Sequence, residues 1–113
     1  MPIMVLTFDT GKLQKACASP QAMRAEWGTK MAAKLVLRIS QIEAAANLSE
    51  IARVPAGRFH EYGDKAGRMS LDLVHPQRLL FVPDHDPVPT KPDGGVDLTA
   101  VTQVRVLGIT DPH

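Results

Sequence analysis

The spacing of the apolar residues changes near Gly57, and this change constrains the fold more than any other feature of the chain. After it, residues 69–73 alternate apolar with polar side chains, as a half-buried strand does. Before it, apolar side chains recur every three or four residues, which is the period of an amphipathic helix. The members of this helical stripe are Met23, Trp27, Met31, Leu35, Ile39, Ile42 and Ala46. Helices followed by a run of strands indicate an α+β fold.

The N-terminal half of the chain predicts a short strand followed by helices. Residues 3–8 are β-prone and predict an opening strand. Ser19-Pro20 is typical of a helix start, because a serine hydroxyl caps the first amides and proline suits the first turn. A long helix is therefore expected from Pro20 to about Asn47, with a bend at Gly28.

The C-terminal half predicts a meander of short strands. A reversal at His75-Pro76-Gln77 should make the strands on either side of it antiparallel, because proline presets the turn dihedral. The prolines and glycines between residues 83 and 100 predict a long loop. Strands are expected at residues 58–61, 69–73, 78–82 and 101–109. A chain of 113 residues with one such succession of elements is expected to be a single domain, residues 1–113.

Composition excludes several classes of protein. No apolar run approaches the roughly 20 residues that a membrane-spanning helix needs. The first six residues lack the basic region of a signal peptide, and their apolar stretch is too short for one. Cys17 is the only cysteine, so no internal disulfide forms, and we expect its thiol to be a small buried group. These features favour a reduced, cytoplasmic location.

Charge is unevenly placed, although the whole chain carries only +1. Residues 1–83 hold 11 basic against 7 acidic side chains, whereas residues 84–113 hold 2 against 5. The strand half carries a cluster of basic and imidazole groups, namely Arg58, His60, Lys65, Arg68, Arg78 and His113. Such a cluster suits phosphodiester chemistry, because arginine and lysine neutralise phosphate oxygens and histidine exchanges a proton near neutral pH. The alternative is a set of solvated cations on an open sheet face.

Two further groups have both a functional and a structural interpretation. The Asp-His-Asp run at residues 84–86 resembles metal ligands, but it has no fourth partner and a solvated turn is favoured. Lys30, Lys34 and Arg38 recur every four residues and therefore share one helix face. We expect this face to be solvated, or else to dock RNA or an acidic partner.

Several segments of the strand half are similar to a known family. They are Arg58-Phe59-His60 with Gly63-Asp64, Gly67 to Leu73, and His75 to Phe81. Together they resemble the RelE/ParE superfamily of bacterial toxins, and within it the HigB-type branch. The order of elements is similar over the whole chain. The end, Asp111-Pro112-His113, is similar to the Asp-Tyr-His terminus of that branch.

The resemblance implies a RelE-like fold, with an N-terminal strand and helices packed on a curved antiparallel β-sheet. It implies a toxin of a type II toxin–antitoxin system that cleaves mRNA on the ribosome, by activating a ribose 2′-OH against the adjacent phosphate, without metal or cofactor. The implied partners are the ribosome, mRNA and a helix-turn-helix antitoxin. The catalytic residues carried over are His60, Arg78, Asp111 and His113, and the residues expected to hold the RNA backbone are Arg58, Lys65 and Arg68.

Two departures from the family pattern leave other functions open. Pro112 replaces the tyrosine before the last histidine, and the lysine of the family's His-Pro-Leu-Lys-Gly-Asp run has no equivalent. Lys65 and Arg68 are the nearest candidates to replace that lysine. The alternatives are a non-nuclease of the same fold, either a ParE-like gyrase poison or a degenerate toxin that only binds its antitoxin. A plain protein-binding domain is the third interpretation.

Overall fold

The computed structural model describes residues 3–64 and 66–111, and within them five strands and four α-helices are found. The strands are β1 (Val5–Phe8), β2 (His60–Glu61), β3 (Met69–Asp72), β4 (Arg78–Pro83) and β5 (Gln103–Thr110). The helices are α1 (Gly11–Ala16), α2 (Pro20–Trp27), α3 (Thr29–Ala44) and α4 (Leu48–Ile51), with a 3-10 turn at Leu98–Ala100. The α+β class is therefore confirmed, and so is the opening strand.

The five strands form one mixed sheet in the order β1-β5-β4-β3-β2. Neighbours from β2 to β5 are antiparallel, but β1 pairs with β5 in the parallel sense. The predicted antiparallel sheet is thus wrong for this one pair. Hairpin-linked neighbours must be antiparallel, whereas β1 and β5 are connected through the rest of the chain, which leaves their relative direction free.

The helices cover one face of the sheet and enclose the hydrophobic core. Alternate residues of the three central strands point into it, as the period of two requires. The strand members of this core are Met69, Leu71, Leu79, Phe81, Val104 and Val106, and the helical ones include Met23, Leu35, Ile42, Leu48 and Ile51. Ser70, Asp72 and Arg78 occupy the intervening positions and lie on the opposite face, called the open face below.

Gly28 divides the predicted long helix into two. Ser19 caps α2 as expected, its hydroxyl accepting a hydrogen bond from the Ala22 amide at 3.0 Å, and Pro20 is the first helical residue. Gly28 adopts φ 86° and ψ 166°, which glycine alone tolerates readily, so α2 ends and α3 begins there. The sequence pattern predicted only a bend because the apolar stripe continues unbroken through the glycine.

Alanine at position 28 is expected to lower the free energy of unfolding by about 1–3 kcal/mol, because a side chain disfavours this backbone conformation. No heavy atom lies within 4 Å of the added Cβ, so the cost is one of backbone strain and not of crowding. Gly11→Ala is the matched control, since Gly11 begins α1 with no positive φ and equally free space. Urea denaturation of both variants tests this, and equal stabilities contradict the assignment.

Other parts of the chain agree with the sequence analysis in outline. Cys17 is buried, and burial raises the pKa of its thiol to about 11. The turn after β3 contains a cis His75–Pro76 bond. The long loop holds a short bridge between Thr90 and Val96 in addition to the 3-10 turn. Within the described ranges, no helix combines the length and apolar character needed to cross a bilayer.

Candidate functional site

An open groove of about 480 Å³ lies beside the edge strand β2. Its lining residues are Arg58, Phe59, His60, Tyr62 and Arg78. Three of these, Arg58, His60 and Arg78, are site residues predicted from the sequence, and the fold brings them together. We call this feature the His60 groove.

His60 reaches the groove through the register of the sheet. It pairs with Ser70 across β2 and β3, so its side chain shares the open face. Its imidazole is exposed and meets the Tyr62 ring edge-on, with centroids 4.5 Å apart and planes at 75°. An exposed imidazole can accept or donate a proton, and the ring beside it adds an aromatic surface to the groove.

Arg78 is held firmly by its neighbours. Its Nε donates to Ser70 Oγ at 2.6 Å, its Nη1 donates to Asp72 Oδ1 at 3.0 Å, and its Nη2 donates to the Arg58 carbonyl. The side chain is only 14% exposed. The sequence analysis included Arg78 in a cluster of cations suited to phosphate, but the polar positions of β3 and the backbone before β2 surround its guanidinium.

Arg58 is the most exposed cation of the groove. Its side chain is 80% exposed, and its Nε lies 3.8 Å from Asp72 Oδ2, a long and weak ion pair. Asp72 therefore stands between two arginines and binds Arg78 more closely. The backbone of Arg58 has φ 48°, in the left-handed region, so neighbouring contacts must hold it.

Tyr62 and Arg68 form the end of the site away from Arg58. The Tyr62 hydroxyl lies 2.8 Å from Ser70 Oγ, and the guanidinium of Arg68 lies over the Tyr62 ring, 5.6 Å from its centre. Arg68 also forms an ion pair with Asp64. Hydrogen bonds from the Arg68 amide and side chain lower the pKa of the Asp64 carboxyl. Arg68 thus borders the groove behind Tyr62 and does not line it.

The C-terminal part of the predicted site is only partly described. Thr110 pairs with Arg78, so β5 ends opposite the first residue of β4. Asp111 follows directly and is exposed. The strand therefore leads to Asp111 at the Arg78 end of the open face. Lys65 and His113, the other predicted site residues, lie outside the described residues together with Pro112.

The sequence analysis missed the residues that hold the site together. Tyr62 is two positions after His60, and this spacing was the available signal that both side chains share a face. Ser70 and Asp72 are the polar members of an alternating strand, which also placed them on the open face. Nothing in the local sequence indicated that Ser70 is fully buried beneath Tyr62 and Arg78.

Arg38 corrects a second expectation. It was grouped with Lys30 and Lys34 on a solvated helix face, and Lys30 is indeed exposed. Arg38 is only 2% exposed, and its guanidinium binds oxygens of other segments of the chain. Spacing along a helix cannot reveal this, because the acceptors come from distant segments.

The Asp84-His85-Asp86 run borders a second open groove of about 570 Å³ on the same face. Asp84 Oδ2 accepts hydrogen bonds from Thr7 at 2.9 Å and Gln103 at 2.8 Å. His85 Nε2 accepts from the Thr102 amide at 3.1 Å. Asp84 and His85 are thus bound to β1, to β5 and to the residue before β5, whereas Asp86 is exposed, as expected for a solvated turn. The described part of the chain contains no group of three or more side chains placed to hold a metal ion.

The Asp84 contacts predict a pH dependence of stability. Hydrogen bonds from Gln103 and then Thr7 lower the pKa of the Asp84 carboxyl. A lowered folded-state pKa stabilises the fold above the ordinary carboxyl pKa of about 3.9, and this contribution is lost as the pH falls further. Denaturant unfolding between about pH 6 and pH 2 should show a smaller decrease for Asp84→Asn than for the parent chain. Asp86→Asn, an exposed neighbour, is the control and should retain the parent's decrease.

Comparison with protein-family models, with curated proteins and with solved structures finds no match to this chain.

Proposed function

We propose that this chain is a RelE-like toxin of the HigB type, and that it cleaves mRNA in the His60 groove. The observation that carries this proposal is the groove itself, where an exposed imidazole, an exposed guanidinium and an aromatic ring meet on the open face of the sheet. Proton transfer, charge neutralisation and base stacking are the three tasks that RNA cleavage without a metal ion asks of side chains.

The proposed reaction uses the ribose 2′-OH as the nucleophile. A base, for which His60 is the candidate, takes the 2′-OH proton while the 2′ oxygen forms a bond to the adjacent phosphorus. The bond from phosphorus to the 5′ oxygen breaks, and an acid returns a proton to that leaving oxygen. The products are a 2′,3′-cyclic phosphate and a free 5′-OH. His113 is the candidate for the acid, because β5 ends opposite Arg78, and Asp111 is the carboxylate that would favour its protonated form.

The two arginines of the groove have different tasks in this proposal. Arg58, exposed and only weakly paired, is the cation that meets the scissile phosphate. Arg78, whose three nitrogens are all bound to protein oxygens, fixes Asp72 and the Arg58 backbone. Arg68 and the ring of Tyr62 extend the surface for the flanking nucleotide. Lys65 is a further candidate for backbone contact from the sequence.

The expected setting of this activity follows from the resemblance. The substrate is mRNA on the ribosome, the location is the cytoplasm, and a helix-turn-helix antitoxin blocks the toxin. No metal ion or cofactor enters the proposed chemistry.

A second candidate is a toxin that has lost its nuclease activity and only binds its antitoxin. The observation in its favour is charge compensation on the open face. Each described arginine there has a carboxylate partner: Arg58 and Arg78 share Asp72, Arg68 has Asp64, and Arg105 has Asp9 and Asp84. Attraction of the RNA backbone depends on excess positive charge, so this pairing weakens it.

The test combines growth with the chemistry of the RNA ends. Expression of the chain alone in bacteria should arrest growth, and purified protein should cut ribosome-bound mRNA to leave cyclic phosphate and 5′-OH ends. The cleavage position is mapped first, and a matched mRNA with a single 2′-deoxy nucleotide there should resist cutting. Ends with a 5′-phosphate, or cleavage of the deoxy substrate, contradict the proposed reaction.

Other outcomes identify the alternatives. Growth arrest with intact mRNA and broken chromosomal DNA indicates a gyrase poison. Normal growth with abundant folded protein indicates the degenerate toxin or the plain binding domain. A neighbouring gene for a helix-turn-helix protein, whose product binds the chain, separates these last two.

A further inference from the structure

Arg38 is a buried arginine that reaches the site from the core side of the sheet. It lies in α3 and is only 2% exposed. Its Nε donates to the Asp72 carbonyl at 2.8 Å, its Nη2 to the Ala56 carbonyl at 2.9 Å, and its Nη1 to Gln41 Oε1 at 3.0 Å. All three acceptors are uncharged oxygens. Burying a guanidinium costs free energy that such contacts only partly offset. Packing of the core therefore does not explain why an arginine occupies this position.

The contacts of Arg38 belong to a larger clamp on residues 56–58. The carbonyls of these three consecutive residues each accept a hydrogen bond, from Arg38, from the Asp72 amide at 2.7 Å, and from Arg78 respectively. Arg38 and Arg78 act from opposite faces of the sheet. Asp72 links them, because its carbonyl accepts from Arg38 and its carboxylate accepts from Arg78.

The clamped segment has a backbone that needs support. Ala56 has φ 63° and Arg58 has φ 48°, both in the left-handed region that L side chains disfavour. The segment leads directly into β2, so its conformation sets where the Arg58 side chain begins, whereas His60 is held by its own pairing with Ser70. A backbone held this way against its own preference relaxes when one of its partners is removed.

We infer that Arg38 is a positioning residue for Arg58: by holding the Ala56 and Asp72 carbonyls, it keeps the exposed guanidinium of Arg58 at the rim of the His60 groove. The inference rests on the proposed function in that Arg58 is taken to meet the scissile phosphate. Arg38 itself is buried and touches no substrate.

The consequence is a dependence of cleavage on Arg38 that acts through Arg58. Small misplacements of a charge near the reacting phosphate are costly, so Arg38→Met should slow mRNA cleavage about 10- to 100-fold. In a chain that already carries Arg58→Met, the same exchange should slow cleavage less than about twofold further. If Arg38 only supported overall stability, its exchange would slow cleavage by the same factor in the parent chain and in the Arg58→Met chain.

Two controls separate positioning from stability and from charge. Ile42→Val, one turn later in α3 and fully buried, weakens the core without touching the clamp. Arg24→Met removes an exposed positive charge from the neighbouring helix α2. Both should cleave within about twofold of the parent chain. If Arg38→Met fails to fold, Arg38→Lys keeps the charge but cannot span both carbonyls, and the same double exchange is made with it.

An independent measurement does not need RNA. The Asp72 amide donates to the Gly57 carbonyl inside the clamp, so its hydrogen exchange should be at least about tenfold faster in Arg38→Met than in Ile42→Val. Unchanged exchange overturns the inference even if cleavage falls. Equal cleavage factors in the two Arg58 backgrounds also overturn it, while the proposed function stands. If the parent chain cuts no RNA, the proposed function fails, and the exchange result alone decides whether Arg38 positions this segment.

Discussion

Exchange of His60 for glutamine is expected to slow mRNA cleavage about 10²- to 10⁴-fold, the usual contribution of a general acid or base. The imidazole is exposed on an edge strand, and its described ring contact is a T-shaped one with Tyr62. Glutamine keeps the size and polarity of the side chain but cannot exchange a proton near neutral pH. The free energy of unfolding should therefore change by no more than about 0.5 kcal/mol.

The matched control for this exchange is His75→Gln. His75 is also exposed, but it lies in the turn between β3 and β4 and does not line the groove. Cleavage rates on ribosome-bound mRNA and urea denaturation are measured for both variants. If His60→Gln cleaves at the parent rate, His60 is not the base. If His75→Gln loses as much activity as His60→Gln, the loss is not specific to the groove.

Much of the fold could be predicted because its signals are local. The Ser19 cap, the proline after it and the alternation from Met69 to Leu73 are each read from a few neighbouring residues, and each element lies where it was expected. The direction of β1 could not be predicted in this way. Its partner β5 is close to it only in the folded chain, so no neighbouring residue carries that information.

In the candidate site, too, the features that depend on neighbouring residues were predictable and those that depend on distant segments were not. His60 lies on the open face through its position in β2, whereas Arg58 precedes that strand and reaches the groove through a left-handed backbone that the spacing did not indicate. The burial of Arg38 and Arg78 depends on carbonyls and hydroxyls from other strands, which no spacing rule includes. Exposed side chains were therefore predictable, and the groups that hold them in place were not. The consequence for function is that Arg78, carried over as a catalytic residue, is largely enclosed by protein oxygens.

Exchange of Arg78 for methionine is expected to affect both stability and cleavage, whereas exchange of Arg58 should affect cleavage alone. Removal of the Arg78 guanidinium leaves the Asp72 carboxylate with the long contact to Arg58 as its remaining described ion pair, and it leaves Ser70 and the Arg58 carbonyl without this donor. Loss of one partner of a largely buried ion pair should cost about 2–3 kcal/mol of unfolding free energy. Arg58→Met should change it by no more than about 0.5 kcal/mol, since that side chain is 80% exposed.

Cleavage should fall about 10²- to 10³-fold in Arg58→Met, as expected for a lost cation near developing phosphate charge, and at least as far in Arg78→Met.

Asp72→Asn combined with Arg78→Met separates the effects on stability and on cleavage, because it removes the unpaired carboxylate. The double variant should recover part of the lost stability but none of the activity, since residues 56–58 still lack their Arg78 contact. Urea denaturation and cleavage assays on the same preparations measure both quantities. If Arg78→Met has the parent's free energy of unfolding, the Asp72–Arg78 ion pair does not contribute to stability. If Arg58→Met cleaves at the parent rate, a group other than Arg58 contacts the phosphate.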